Sequence, residues 1–225
     1  MGTTAARAGR STAIVERSPA STAILFDVGG VLIDNYDYVT NDVRQALGSP
    51  DGFDQRWPAA IHRYGSGTIN RATFWRELGC NHPTNAQQDS IVKGFRETLT
   101  IRNQVMEYAA HLAIQGLRVG ILSDTIPEHA EVLRQSGVYD EAIFDPCLLS
   151  YETGHRKPAP ATYIHALGRL GLCHCPESVL FVDDRLKNIA TAAATGMRTV
   201  HAVQRATQAE TEATIINDIA TKLQL

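Results

Sequence analysis

Short apolar runs that end in a polar side chain constrain the fold of this chain more than any other feature of its sequence. Three such runs are 23–26 before Asp27, 119–122 before Ser123, and 179–182 before Asp183 and Asp184. Helical patterns lie between the runs, which predicts an α/β fold whose parallel sheet is covered by helices on both faces. Because the carboxyl ends of parallel strands open on one crevice, these polar residues are expected to meet there.

Glycines and a lysine add to the pattern. Asp27 is followed by Gly29 and Gly30, which is typical of a nucleophile or a metal ligand in a loop the size of a phosphate. In the segment 154–158, Lys157 stands directly before a proline, a residue that often starts a helix. The lysine can reach the same crevice from its loop.

In this order and spacing the four segments resemble the motifs of the haloacid dehalogenase superfamily of phosphohydrolases, from Ile24 to His201. The segment 151–158, followed by Pro160 and Tyr163, is similar to the form found in members with a small helical cap. The resemblance implies a Rossmann-like parallel sheet with an α-helical cap inserted after the first strand. We expect a disordered tail over 1–22, a core formed by 23–34 and 100–225, and a cap over 35–99.

The resemblance also implies a catalytic role for the carboxylates. Asp27 is the expected nucleophile, which would form an aspartyl phosphate. The expected cofactor is Mg²⁺, an ion that prefers oxygen ligands. Its expected ligands are Asp27, Asp184 and the backbone carbonyl of Gly29, with Asp183 bound directly or through a water. Asn188, four residues beyond Asp184, is expected to orient Asp184 without itself binding the metal.

A second group of residues is expected to bind the phosphate. The expected donors are the Ser123 hydroxyl and the backbone N–H groups of Asp124 and Gly30. Lys157 is expected to neutralise phosphate charge and to keep Asp27 ionised. For His155 and Arg156, beside this lysine, the alternatives are lining the entrance to the site and facing solvent, and we expect them to face solvent.

Gly29 departs from the usual family pattern. Many phosphatases of the family carry a second Asp at this position, which protonates the leaving group and then activates water. Such general acid–base help is typically worth about 10²–10⁴-fold in rate. Its loss predicts faster turnover of aryl, acyl or sugar-1-phosphates, whose leaving groups depart without a proton, than of alkyl phosphates.

Two other functions stay open at this point. A non-catalytic relative that binds a phosphorylated ligand or a protein partner is favoured by Gly29, but it would need no nucleophile. A 2-haloacid dehalogenase also uses an Asp nucleophile without an acidic partner two residues on. Related dehalogenases need no metal and lack the paired aspartates found here at Asp183 and Asp184.

Composition narrows the class of partner. The chain has 225 residues and a net charge of −3, with no basic excess that would indicate nucleic acid. No apolar stretch approaches the roughly 20 residues that span a bilayer. Four cysteines without a zinc-like pattern are expected to be free thiols in a reducing compartment, hence a cytoplasmic protein. The expected partner is a small phosphorylated substrate, and the sequence does not indicate an oligomeric state.

The spacing of apolar residues also predicts local elements. Region 53–99 shows helical spacing and no convincing strand, with a flexible joint at 64–68. Residues 142–144 are expected to form a short strand, and 199–201 an outer strand. Helices are expected at 36–47, 103–115, 127–135, 159–170, 186–194 and 207–222.

Overall fold

A five-stranded parallel sheet forms the centre of the protein. The computed structural model describes residues 23–34 and 39–224, so the expected tail, 1–22, lies outside the described residues. The strands are β1 (Ala23–Phe26), β2 (Arg118–Ser123), β3 (Cys147–Leu149), β4 (Val179–Asp183) and β5 (Arg198–His201). Their order in the sheet is β3-β2-β1-β4-β5, and every neighbouring pair is parallel. This confirms the predicted fold class and the outer position of the last strand.

One predicted strand is wrong. Residues 142 and 143 lie in a turn that ends before Phe144, and the strand lies further on, at 147–149. The amides of Ile143 and Phe144 both donate to the carbonyl of Asp140, at 3.0 and 2.9 Å. Phe144 is buried against the core, so its apolar character reflects packing at the turn rather than strand pairing.

Helices fill the connections between the strands. Five of them, α1 (Val39–Ala46), α2 (Phe53–Gly65), α3 (Arg71–Glu77), α4 (Asn85–Asp89) and α5 (Lys93–Thr98), follow β1. We call this segment the helical insert. The others are α6 (Asn103–Ile114), α7 (Pro127–Gln135), α8 (Ser150–Thr153), α9 (Pro160–Leu170), α10 (Leu186–Ala194) and α11 (Gln208–Leu223), with a 3₁₀ turn at Pro176–Ser178. No strand occurs in 53–99, as predicted.

Alternating side chains of β1 show how helices cover both faces of the sheet. Ile24 and Phe26 pack into the cluster that contains buried residues of α6 and α11. Ala23 and Leu25 point the other way, into the cluster formed with α9 and α10. All four residues are fully buried, as expected for a parallel strand covered on both faces.

Aromatic packing holds the helical insert together. Phe53 stacks on Trp57 with ring centroids 5.4 Å apart, and Tyr64 stacks on Phe74 at 4.8 Å. Phe74 also meets Trp57 and Trp75 edge-on, at 5.9 and 5.3 Å. Helices as short as these are marginal alone in water, so the buried rings stabilise them. No helix among the described residues is long and apolar enough to cross a membrane.

Candidate active site

The polar residues predicted to meet do meet at the carboxyl edge of the sheet. Asp27 directly follows β1, Ser123 ends β2, and Asp183 ends β4. The amide of Asp27 donates to the carbonyl of Val182 at 2.8 Å, which extends the pairing of β1 with β4 to Asp27. Lys157 reaches this edge from the loop between α8 and α9.

Lys157 lies between two carboxylates. Its Nζ is 2.7 Å from Oδ1 of Asp27 and 2.8 Å from Oδ2 of Asp183. The lysine side chain is only 2% exposed and that of Asp183 is fully buried. At such burial, two carboxylates this close are tolerated only because the ammonium lies between them.

Burial and charge act against each other on these groups. Burial raises the pKa of Asp27 above its usual range, while the ammonium of Lys157 lowers it and the charge of Asp183 raises it further. Burial alone would lower the pKa of Lys157, but the carboxylates of Asp27 and Asp183 outweigh it and raise that pKa. The lysine is therefore charged at neutral pH, as its predicted role requires.

Asp183 is held by more partners than Lys157 alone. Its Oδ1 accepts the backbone N–H of Arg185 at 2.8 Å, and the Asn188 amide donates to both carboxylate oxygens, at 2.9 and 3.0 Å. The expectation that Asn188 orients Asp184 is therefore wrong, and its partner is Asp183. Because α10 begins at Leu186, Asn188 lies in its first turn, and its side-chain amide turns back onto the end of β4.

Asp184 instead faces the glycine loop after Asp27. Gly30 has φ +74°, and a Cβ at this position would lie 2.6 Å from Oδ2 of Asp184. On its other side, Nε2 of His201 lies 3.0 Å from the backbone oxygen of Asp184. The amide of Gly30 donates to the carbonyl of Ile33 at 2.8 Å, so the expected role of this N–H in binding phosphate is wrong.

Three carboxylates form a group suited to a metal ion. Asp27, Asp183 and Asp184 each offer one oxygen, and these oxygens lie within 4.8 Å of one another. The Oδ1 atom of Asn188 is buried and has no hydrogen-bond partner among the described residues. Hard oxygen donors in this number fit Mg²⁺, which keeps several waters and needs acceptors for them. The residues present therefore fit the cation that the resemblance implies.

Because β1 lies between β2 and β4, Ser123 and Asp124 lie on the opposite side of Asp27 from Asp184. The hydroxyl of the buried Tyr139 donates to Oγ of Ser123 at 3.4 Å, which leaves the Ser123 proton free to be donated elsewhere. The carboxylate of Asp124 accepts the backbone N–H of Lys157 at 3.1 Å. The sequence drew attention only to the Asp124 amide, but its side chain positions the lysine loop.

Two small cavities open beside these groups, each about 140 Å³. One is lined by Asp27, Lys157 and Asn188, and the other by Phe95 of the helical insert and His129 of α7. Gly29, Asp124 and Arg185 line both. Sequence reasoning missed Arg185, Phe95 and His129, and only the position of Arg185 next to Asp184 could have indicated one of them.

His129 is a buried, uncharged histidine at this cavity. Its ring stacks on Phe95 with centroids 4.2 Å apart, and its Nε2 lies 2.8 Å from the carbonyl oxygen of Ile91. Since a carbonyl only accepts, Nε2 carries the proton. Burial lowers the pKa of His129 to about 4, so the ring is neutral at physiological pH.

The chain belongs to the haloacid dehalogenase-like hydrolases. The model of that hydrolase family matches residues 22–196, most of the chain and all four motifs. A curated relative, Protein CbbY of Rhodobacter capsulatus, is 26% identical over 196 residues, which cover 79% of this chain and 83% of that protein.

Solved structures of the same fold agree with this assignment. A HAD family enzyme from Bacteroides thetaiotaomicron is 21% identical with a TM-score of 0.69, covering 81% of this chain and 94% of that one. That enzyme has also been solved as a magnesium complex and with magnesium and inorganic phosphate. An L-2-haloacid dehalogenase matches at 20% identity and a TM-score of 0.56, covering 84% of this chain and 89% of that one. At such identities these structures show the fold alone.

Proposed function

We propose that this hydrolase is a Mg²⁺-dependent phosphatase that acts on a small phosphorylated metabolite, such as a sugar phosphate. The observation that carries the proposal is the position of the Lys157 ammonium, 2.7 Å from Asp27 and 2.8 Å from Asp183, beside a group of three carboxylates. Phosphoryl transfer needs an in-line nucleophile and strong stabilisation of charge on the transferred group. This arrangement supplies both.

Asp27 is the proposed nucleophile. Oδ1 of Asp27 accepts from the amide of Val28 at 2.7 Å and from Lys157. These contacts hold the carboxylate in one orientation and point its other oxygen away from the lysine. Attack by that oxygen on phosphorus releases the leaving group and forms an aspartyl phosphate, and attack by water on phosphorus then regenerates Asp27.

Residues on the side of Asp27 opposite Asp184 would hold the phosphate. The Ser123 hydroxyl and the backbone N–H of Asp124 donate to its oxygens, and Lys157 neutralises part of its charge. Gly29 lines the same cavity as Asp27 and Lys157, so we assign to its amide the role that Gly30 cannot fill. Charge-assisted donors in a buried site are stronger than neutral ones.

The three carboxylates of Asp27, Asp183 and Asp184 would hold Mg²⁺. We assign Asp27, Asp184 and the Gly29 carbonyl as direct ligands, with Asp183 acting through a water because its oxygens already accept from Lys157, Arg185 and Asn188. When bound, the cation neutralises charge on the transferred phosphoryl group and orients it. The helical insert would form the cap above the site. The four free thiols accord with a cytoplasmic protein.

Gly29 shapes the proposed substrate range. It cannot protonate a leaving group, so substrates whose leaving groups depart as stable anions are favoured. We propose aryl, acyl or sugar-1-phosphates over simple alkyl phosphates. The small cavity beside Phe95 and His129 would take a compact leaving group.

The test is hydrolysis of p-nitrophenyl phosphate by the purified protein with Mg²⁺. Its leaving group departs without a proton, so the assay does not depend on the acid that is missing at Gly29. We expect activity that is lost with EDTA and lost by at least about 10³-fold in Asp27→Asn. Activity that persists in Asp27→Asn would contradict the proposed nucleophile.

Dehalogenase chemistry is the second candidate, favoured by Gly29 and by fold similarity to an L-2-haloacid dehalogenase. Asp184 argues against it, since its carboxylate belongs to a group that suits a cation. Chloride release from 2-chloropropionate in the presence of EDTA would establish that reaction. Stabilisation by a phosphorylated ligand without turnover would instead indicate a binding protein.

A further inference from the structure

Arg156 connects the helical insert to the catalytic lysine. Its side chain is 23% exposed, contrary to the expectation that it faces solvent. One guanidinium nitrogen lies 3.4 Å from the carbonyl oxygen of Ile61 and 3.3 Å from that of His62, in the last turns of α2. Carbonyls near a helix C-terminus carry partial negative charge, so this half-buried cation stabilises α2 in this position.

The same guanidinium contacts Asp124. Its Nε lies 3.5 Å from one carboxylate oxygen, while the other oxygen accepts the backbone N–H of Lys157 at 3.1 Å. Arg156 and Lys157 are consecutive residues held by one carboxylate. A shift of α2 that moves Arg156 therefore acts on the segment that carries the catalytic ammonium.

Gly65 makes the contact possible. A Cβ at this position would lie 2.8 Å from the Arg156 guanidinium and 3.3 Å from the backbone oxygen of Thr125. The Gly65 carbonyl accepts the hydroxyl of Ser150 at 2.6 Å. Two residues on, a Cβ at Gly67 would lie 2.2 Å from the carbonyl oxygen of Tyr151. The segment expected to be a flexible joint is thus a close contact between the insert and the core.

We propose that Arg156 is a positioning residue that aligns Lys157 only when helix α2 is seated on the core. Three long contacts to one guanidinium make a junction that closes when α2 is in place and opens when it moves. The position of the insert over a substrate would thereby determine the alignment of Lys157. This inference rests on the proposed phosphatase activity for its kinetic test, but its structural part does not.

Hydrogen exchange tests the junction without any substrate. The amides of Ser66 and Thr68 donate to the carbonyls of His62 and Arg63, so exchange in 61–68 reports on this end of α2. We expect faster exchange there in Arg156→Ala and Gly65→Ala. Arg134→Ala is the matched control, because Arg134 pairs with Glu152 at 2.8 Å and makes no hydrogen bond or ion pair with the insert among the described residues. Unchanged exchange in both variants would overturn the proposal.

Kinetics separate positioning from direct contact with substrate. With p-nitrophenyl phosphate we expect kcat to fall about 10- to 100-fold in Arg156→Ala, as for other small misplacements of catalytic groups, with little change in KM. We expect Gly65→Ala likewise to lower kcat with little change in KM, and Arg156→Lys to recover part of the lost kcat. The double variant of Arg156→Ala and Gly65→Ala should have a kcat no lower than that of Arg156→Ala alone. A raised KM and weaker inhibition by inorganic phosphate in Arg156→Ala alone would overturn the proposal in favour of a substrate contact.

The two proposals fail in different ways. If the wild-type protein hydrolyses no phosphate ester but exchange in 61–68 responds as expected, the proposed function fails and the junction stands. If the wild-type protein is an active phosphatase while Arg156→Ala keeps wild-type kinetics, the junction fails and the proposed function stands.

Discussion

The ammonium of Lys157 lies 2.7 Å from the carboxylate of Asp27, on the side of that carboxylate that also accepts the amide of Val28. The lysine thereby fixes one oxygen and sets the direction of the other. A single buried cation orients the carboxylate of Asp27, lowers its pKa against the effect of burial, and lets Asp183 lie close to it.

Lys157→Met tests the electrostatic part of this arrangement. The change leaves Asp27 and Asp183 buried without the cation between them, and breaking a buried pair in this way costs about 3–5 kcal/mol. We expect the free energy of unfolding in urea, measured without metal, to fall by about that amount. Adding Asp183→Asn to this variant should recover part of the loss, and equal stability of the two variants would contradict the electrostatic explanation.

Gly30→Ala tests the contact between the glycine loop and Asp184. A methyl group would meet Oδ2 of Asp184 at 2.6 Å, in addition to the strain of φ +74°. Gly137→Ala is the matched control, with φ +80° and open space around the position. Both should lose about 1–2 kcal/mol of stability through backbone strain. Only Gly30→Ala should weaken Mg²⁺ binding, measured by titration of the thermal unfolding midpoint with MgCl₂.

Gly29→Asp tests the proposed substrate preference. Gly29 forms a β-bridge with Ile33 and is not one of the described glycines with positive φ, so its backbone accepts a side chain and the variant should fold. An added carboxyl can protonate a poor leaving group, which is typically worth about 10²–10⁴-fold. Across a series of aryl and alkyl phosphates, wild-type kcat/KM should fall steeply as the leaving-group pKa rises. The slope should flatten in the variant, and a wild-type rate independent of leaving group would count against the idea.

His129 predicts a pH dependence of stability. Burial lowers its pKa from 6.5 to about 4, so between these values the unfolded chain binds a proton that the folded protein does not. Stability is therefore complete above pH 6.5 and decreases as the pH falls toward 4, by roughly 3 kcal/mol at most.

The measurement is urea unfolding at pH 7.5 and pH 5. Other groups titrate in this range, so the informative quantity is the difference between wild type and His129→Gln, which keeps a donor for Ile91. The variant should lose less stability on acidification. His111→Gln, a change on the exposed side of α6, should behave as wild type does, and an identical pH response in all three proteins would refute the prediction.

Local signals were enough for most of the elements. Apolar runs ended by polar residues located three of the five strands, and the outer strand was predicted separately at 199–201. Proline and glycine signals placed α7 and α10 at their observed bounds, Pro127–Gln135 and Leu186–Ala194. The strand predicted at 142–144 was wrong because Phe144 is buried by a turn rather than by sheet pairing. Burial of one apolar residue does not reveal which structure buries it.

The sequence by itself determined the fold class and which polar residues gather at the carboxyl edge of the sheet, because strand ends in a parallel sheet share one edge. Only the tertiary structure decided how they pair. Asn188 holds Asp183 rather than Asp184, Gly30 donates to Ile33, and Arg156 lies under α2. Such pairings depend on side-chain direction and on approaches of a few ångströms between segments distant in the chain, which motif spacing does not encode.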